Sequence, residues 1–461
     1  MTTNPAFLTA AEAVDLMDRG EVTPIDIVEA NLTQIKKLDP VLKTFICLDE
    51  AGARFHAERL TKELRQGKRR SPLHGITVAV KDVLDVAGMR TTHGTRALKD
   101  AAPATADADA IGRLREAGVI FLGKTNTPAF AAYAHTTNAL VGTTVSPWDT
   151  SLSSGGSSGG SAVAVATGMC TLAIGTDLGG SVRGPAAWAG AFGIRPTAGR
   201  VSNQPHGWVD DTIDVVGVLA RDARDLRLWL DAAEACAAKP RQPLEDALSI
   251  GYSVDLGGAI AVDPDIREVF SRAIDDLRRA GVPVTERVPD VDAALKAIRP
   301  LRALRALAMY ADAGLEAIAQ DNKNLALFLE RARGMSGLEL AEGASLRTQS
   351  WKNNAGFFND FSAFLMPTAQ FSGIASDRVQ PEFVDGHKID DPLTAWHSTY
   401  IVSVLGWPVV AIPCGLTQSG RPVGAQLIGP RGSETHLLAM AESLCRKVGW
   451  KWQPPHIAVQ T

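Results

Sequence analysis

The sequence predicts an α/β protein organised as one large domain over residues 1–461, and three observations carry that reading. Strand-like and helix-like segments alternate along much of the chain, the pattern that βαβ units leave in a sequence. With 461 residues, 45% of them hydrophobic, the chain is long and apolar enough to bury a sizeable core. Neither a low-complexity linker nor an internal period divides it. Within the domain, a core over about residues 70–200 is expected, followed by a more variable lobe over about 240–390.

Taken in order, Thr9 with Glu12 forms a capping box that opens a short helix, and Gly20 can end it. Thr23, Pro24 and Asp26 place a cap, a first-turn proline and a first-turn acid at the head of a second helix running to about Leu38. A third helical pattern over 50–66 ends in Lys68, Arg69 and Arg70, which read as a solvated helix end rather than a phosphate site. Residues 75–82 read as a strand. Lys81 shares a face with Ala79 and Thr77 while Val78 and Val80 point the other way, and both faces look buried. Residues 118–125 match the letters of a Walker A phosphate loop, but Val119, Ile120, Phe121 and Leu122 make a strand where such a loop needs bendable residues. Farther on, 225–238 is helical, 248–253 a strand, 265–280 a helix that Gly281 can end, and 282–288 the next strand. An Ala- and Leu-rich helical region spans 301–344, strands are expected at 361–367, 407–413 and 422–428, and an amphipathic helix over 434–448 closes the chain.

The chemistry turns on residues 153–197, made almost wholly of Gly, Ser, Ala and other small residues that serve close backbone approach rather than bulk. Ser157 lies between Gly155-Gly156 and Gly159-Gly160, and Ser181 follows Asp177, Leu178, Gly179 and Gly180 in a second turn of the same kind. Between the turns, 162–167 alternates small and β-branched residues and 171–174 reads as a short buried segment, so the two hydroxyls can be folded toward one place. That apolar patterning separates the stretch from a flexible linker. A serine hydroxyl needs a base to take its proton, and a lysine serves only when neutral. At the ordinary pKa near 10.4, about one lysine in a few thousand is neutral at pH 7. Burying Lys81 beside Val78, Ala79 and Val80 would lower that pKa, and a shift of about two units costs about 3 kcal/mol.

Other classes are disfavoured. A net charge of -4 gives no bulk attraction to nucleic acid or to an anionic membrane. Five scattered cysteines lack disulfide or metal-ligand spacing, and residues 1–20 lack the basic start and apolar run of a secretory signal, so a cytoplasmic protein is expected. The most apolar run, 401–414, is interrupted by Gly406 and Pro408 and is too short to span a bilayer. His56-Ala57-Glu58 and Pro413-Cys414 echo a zinc deaminase, but no second cysteine sits three residues past Cys414, and no metal is expected.

The run from Leu73 to Asp82, Gly123-Lys124-Thr125-Asn126, the Gly–Ser blocks, Gly193-Ile194-Arg195-Pro196-Thr197, Met366-Pro367-Thr368 and the run from Gly424 to Pro430 together resemble the amidase signature family of serine hydrolases over nearly the whole chain. The resemblance implies a large mixed β-sheet flanked by helices on both faces. It implies hydrolysis of an amide to a carboxylic acid and ammonia or an amine through a covalent acyl-enzyme, with no cofactor. Ser181 would be the nucleophile, Lys81 the base, and Ser157, on a cis peptide after Gly156, the bridge between them. Backbone N–H groups of Leu178, Gly179, Gly180 and Ser181 would form the oxyanion hole. Asp177 and Arg183 would hold that loop, and Ser158 would support it. A homodimer is expected by analogy alone.

Relatives line their acyl pocket with the segment that here holds Ala131, Ala132 and Ala134, small residues that leave room, and Tyr133, His135 and Trp208 are candidate wall residues. An apolar or aromatic amide, hydrazide or ester is expected in preference to a charged one. Thr77, Ala129, Ser146 and Ser154 depart from the usual family pattern, none of them in the triad. Two rivals stand beside this reading. Gly155 to Gly159 also fits the G-x-S-x-G elbow of α/β-hydrolases, with Ser157 paired to His387, His397 or His436, but that leaves Lys81, Gly179, Gly180 and Ser181 unexplained. The other is an amidotransferase A-type subunit, which would need partner chains.

Overall fold

Eleven strands hydrogen-bond into one mixed sheet: β1 (Phe45–Leu48), β2 (Thr77–Lys81), β3 (Ile120–Thr125), β4 (Leu172–Asp177), β5 (Phe192–Arg195), β6 (Val215–Ala220), β7 (Ile250–Tyr252), β8 (Val284–Glu286), β9 (Ala363–Pro367), β10 (Val409–Leu416) and β11 (Pro422–Ile428). The computed structural model describes residues 4–207, 211–234, 248–310 and 314–459. Across the sheet the order is β1-β3-β2-β4-β6-β5-β10-β11-β9-β7-β8. Strands β3, β2 and β4 run parallel, as do β9, β7 and β8, and the strands between them pair antiparallel.

The helices are α1 (Ala10–Asp18), α2 (Pro24–Leu42), α3 (Glu50–Arg65), α4 (Asp109–Glu116), α5 (Gly159–Ala166), α6 (Arg183–Ala189), α7 (Ala223–Ala233), α8 (Pro264–Arg279), α9 (Asp292–Tyr310), α10 (Leu315–Asp321), α11 (Lys323–Arg333), α12 (Gly337–Asn353), α13 (His397–Leu405) and α14 (Glu434–Val448). They cover both faces of the sheet, and the two-residue period of β2 shows how. Val78 and Val80 pack into a core shared with α1, α7, α8 and α14, whereas Ala79 packs into a second core shared with α2, α3, α5 and α6. Lys81 lies on the Ala79 side, toward α5.

The alternating residues 162–166 belong to α5, every residue of which is buried, and Thr167 caps it. A helix enclosed on all sides has no polar face, so the 3.6-residue signal that identifies a helix vanishes. The helical region expected over 301–344 is several helices. Asn322 caps α11 by accepting from the Leu325 N–H at 2.9 Å, and α12 opens on a capping box of Ser336 and Glu339. The helix expected over 225–238 is described as α7, and residues 235–238 lie outside the described residues. Arg69 pairs with Asp18 and Arg70 with Glu63, in keeping with a solvated helix end.

Glycines set the distance of α5 from the sheet. A β-carbon on Gly160 would lie 2.6 Å from both the Asn126 nitrogen and the Thr44 carbonyl oxygen, backbone atoms that cannot step aside. Gly160→Val is therefore expected to destabilise the protein by at least about 3 kcal/mol or to prevent soluble expression. Thermal melts against wild type check this; an unchanged melting temperature would show that the helix is free to move outward.

Candidate active site

Lys81 ends β2 with no exposed surface. Its Nζ lies 2.6 Å from Ser157 Oγ and 2.9 Å from Thr176 Oγ1, and in the protonated form it donates to both. Burial pushes its pKa down to about 7, outweighing the attraction of Asp214 and Asp177, while Arg305 adds to the lowering. The family resemblance points to Ser157 as the partner of Lys81; nothing points to Thr176, because a strand sequence does not tell which end residue faces a neighbouring strand's lysine.

Ser157 sits at the head of α5 on a cis peptide after Gly156. Its carbonyl accepts from Thr127 Oγ1 at 3.0 Å. Gly156 lies against the backbone of residues 133–135, where a β-carbon would come within 2.6 Å of the His135 nitrogen. Ser158 donates its N–H to the Ser181 carbonyl at 3.1 Å, tying the two serine turns together, and its hydroxyl reaches the Thr176 carbonyl.

The second turn is organised by Asp177. One carboxylate oxygen accepts from the Gly180 N–H (2.9 Å) and Arg183 Nη2 (2.8 Å), and the other from the Val182 and Arg183 N–H groups and Arg183 Nε. Arg195 adds a further contact at 3.2 Å. Burial alone would raise this carboxyl, but the two guanidinium groups and the backbone donors hold it well below the usual carboxylate range. Arg183 is itself held by Gln426, Ser403 and the Thr399 carbonyl.

This arrangement corrects one expectation. The Gly180 N–H is committed to Asp177, so it is not free to serve an oxyanion. Among the described residues the N–H groups of Leu178, Gly179 and Ser181 have no acceptor. Gly179 is obligatory for another reason: a β-carbon there would lie 2.3 Å from the Tyr400 ring.

Ser157, Leu178, Gly179, Gly180 and Ser181 line one cavity of about 390 Å³, together with Ala131, Ala132, Tyr133 and Ala134. His135 does not join them. It is buried, its Nδ1 lies 2.6 Å from Ser153 Oγ, and burial lowers its pKa to about 4, so it is a satisfied core histidine that fixes the turn before Ser157. Trp208 lies outside the described residues. The far wall comes from α9, α11, α13 and the segments before β6 and α13, and it brings in Asp214, Arg302, Arg305, Phe328 and Tyr400, the first four of them not singled out from sequence. Burial would raise the Asp214 carboxyl, but Arg305 at 2.5 Å, His206 at 3.6 Å and the Lys81 charge bring it down to about 2.

The fold and this cavity define an amide-hydrolysing enzyme of the amidase signature class. The family model for Amidase matches residues 26–438, and the chain belongs to that family. It is 33% identical to the A-type subunit of the glutamyl-tRNA(Gln) amidotransferase of Roseiflexus castenholzii, over 98% of both chains. Among solved structures it is similar to an amidase (28% identity, TM-score 0.88, 95% of this chain and 100% of that one). It is also similar to a bacterial aryl acylamidase of the amidase signature family (26% identity, TM-score 0.84, 99% of each chain). The protein is thus a hydrolase of carbon–nitrogen amide bonds on a large mixed sheet flanked by helices. Among the described residues no helix is long and apolar enough to cross a membrane.

Replacing Asp177 by Asn would leave Arg183 and Arg195 buried without a compensating charge. Asp177→Asn is expected to cost about 3–5 kcal/mol of stability and to lower kcat by at least about a hundredfold through the displaced loop. Denaturant melts and steady-state kinetics check both, and an active, fully stable variant would contradict the role given to this carboxylate.

Proposed function

We propose that the protein hydrolyses amides through a Ser-Ser-Lys relay and a covalent acyl-enzyme. The observation that carries the reading is the 2.6 Å contact between Ser157 Oγ and a fully buried Lys81. With a pKa of about 7, half of the lysines are neutral at pH 7, where an ordinary one is almost never so. Neutral Nζ accepts the Ser157 proton as Ser157 Oγ accepts that of Ser181. Ser181 Oγ then attacks the amide carbonyl, and the negative oxygen is received by the N–H groups of Leu178, Gly179 and Ser181. The proton returns along the same path to the leaving nitrogen, the C–N bond breaks, and water repeats the cycle on the ester.

The cavity's aromatic wall, where Phe130 and Tyr310 meet edge to face with centroids 5.6 Å apart, supports an acyl group with an apolar or aromatic body. Ser157 contacts an amine rather than an imidazole, which speaks against the elbow reading with His387, His397 or His436. Likeness to the amidotransferase chain favours a second reading, in which partner chains are needed for activity. Assay of the purified chain on simple primary amides separates the two.

Ser181→Ala is expected to lower kcat at least about ten-thousandfold and to abolish labelling by a fluorophosphonate probe, whose adduct on wild type is located by peptide mass. An adduct on Ser157, or turnover surviving in Ser181→Ala, would overturn the relay. Lys81 works unprotonated, so kcat/KM should fall tenfold per pH unit below about pH 7 and level off above it. A limb near pH 10 would mean that burial does not lower this amine.

A further inference from the structure

Helix α9 presents Arg299, Arg302 and Arg305 at intervals of three residues, one stripe that faces the cavity. Two of these cations are already matched. Arg305 binds Asp211 and Asp214, and Arg299 binds Asp391. The remaining acid of the lining, Asp390, pairs with Lys388 at 3.1 Å. Every carboxylate on the wall therefore has a cation. Arg302 has, among the described residues, no carboxylate. Its Nη1 donates to Tyr400 Oη at 3.1 Å, and its guanidinium lies 4.9 Å from the centre of the Phe328 ring.

The same tyrosine ties this cation to the reacting end of the cavity. The Tyr400 ring occupies the space that a β-carbon on Gly179 would need, and Gly179 belongs to the loop that leads into Ser181. One phenol ring thus separates the guanidinium from the backbone donors of that loop. Tyr400 takes one of the five N–H donors of Arg302, leaving edge donors in the fork geometry that matches a carboxylate. The ring beneath it and the bond to Tyr400 hold the fork in one plane, so little freedom is lost on binding.

We propose that Arg302 is the anchor for a substrate carboxylate, and that the amide cleaved here carries an acid group on a short spacer from its scissile carbonyl. This rests on the reading of Ser181 as the nucleophile, and it replaces the expectation of an uncharged substrate by one with an apolar body and an acidic end. The spacer passes Phe328, and the acid lies on the guanidinium beside Tyr400. Arg331, the other cation of the lining that has no carboxylate among the described residues, is exposed on α11, where salt screens it more strongly.

The test compares succinamate, glutaramate and adipamate, each against the straight-chain primary amide of equal length, on the purified wild-type enzyme and on Arg302→Gln. Wild type is expected to prefer the acid of at least one pair by about ten- to a hundredfold in kcat/KM, the worth of a hydrogen bond to a charged group. In Arg302→Gln that ratio should collapse toward one, mainly through KM, and Arg302→Lys should restore it in part. A ratio that is near one in wild type, or that is unmoved in Arg302→Gln, overturns the proposal. Taking a ratio removes any general loss from misfolding. Calorimetric binding of glutarate to Ser181→Ala and to Ser181→Ala/Arg302→Gln separates this inference from the relay. Binding that needs Arg302 sustains the anchor even if Ser181→Ala still turns over amides. Equal binding to both variants sinks the anchor while leaving the relay intact.

Discussion

The structure depends on keeping one amine out of water without giving it a counter-ion in direct contact. A lysine whose pKa falls from 10.5 to about 7 is held at a cost on the order of 5 kcal/mol. A carboxylate touching Nζ would remove that cost and with it the neutral form. What touches Nζ instead is a pair of hydroxyls, Ser157 and Thr176, which satisfy the amine's donors while leaving its charge uncompensated. Desolvation is supplied by α5, whose approach to β2 and β4 is allowed by glycines. A β-carbon on Gly175 would lie 2.6 Å from Ser158 Oγ, and one on Gly159 would meet Thr136 and Ser154.

Asp177 solves the opposite problem a few residues away. It is buried as deeply as Lys81, and an unbalanced anion there would draw the lysine into its charged form. Arg183 and Arg195 flank it, so the cluster presents two cations and one anion. Much of the carboxylate's field is balanced locally, by the guanidinium groups and by the N–H groups of Gly180, Val182 and Arg183, and the attraction that still reaches Lys81 is outweighed by burial. The same carboxylate therefore shapes the loop before Ser181 and leaves Lys81 poised. Giving up the Gly180 donor to this cluster is the geometric consequence, since one N–H cannot point both at Asp177 and at a reacting oxygen.

How much of this was legible depended on whether the information was local. β2 and its lysine, β11, α8 and α14 could be read because their patterns are periodic and bounded by turn residues. The strands β1, β5 and β6 carry no legible signal: β1 and β5 have four residues each, and β6 is buried throughout and shows no alternation. α5 carries no helical signature, because its burial is complete and its alternation of Ala and Val imitates a strand. At the site, Ser157 and Ser181 fall within one stretch of small residues, so composition marks them, while Asp177 and Arg183 are marked only by the family resemblance. Asp214, Arg302, Phe328 and Tyr400 come from distant segments, and only the sheet and the helices stacked on it bring them to the cavity. His135 shows the converse: proximity in sequence to the pocket alanines suggested a wall residue, but the ring turns inward to Ser153.

Chemistry and recognition are thus drawn from different parts of the chain, yet α9 joins them. Its Arg302 faces the far wall beside Tyr400, and its Arg305 binds Asp214, whose charge acts directly on Lys81. Arg305 opposes Asp214 in that influence, one lowering the lysine pKa and the other raising it. Any displacement of α9 that lengthens the Arg305–Asp214 contact changes both at once: the acid becomes less well neutralised and the cation more distant, and each change favours the protonated amine. The position of the helix that carries Arg302 and Arg305 is for that reason also a determinant of how readily Lys81 gives up its proton.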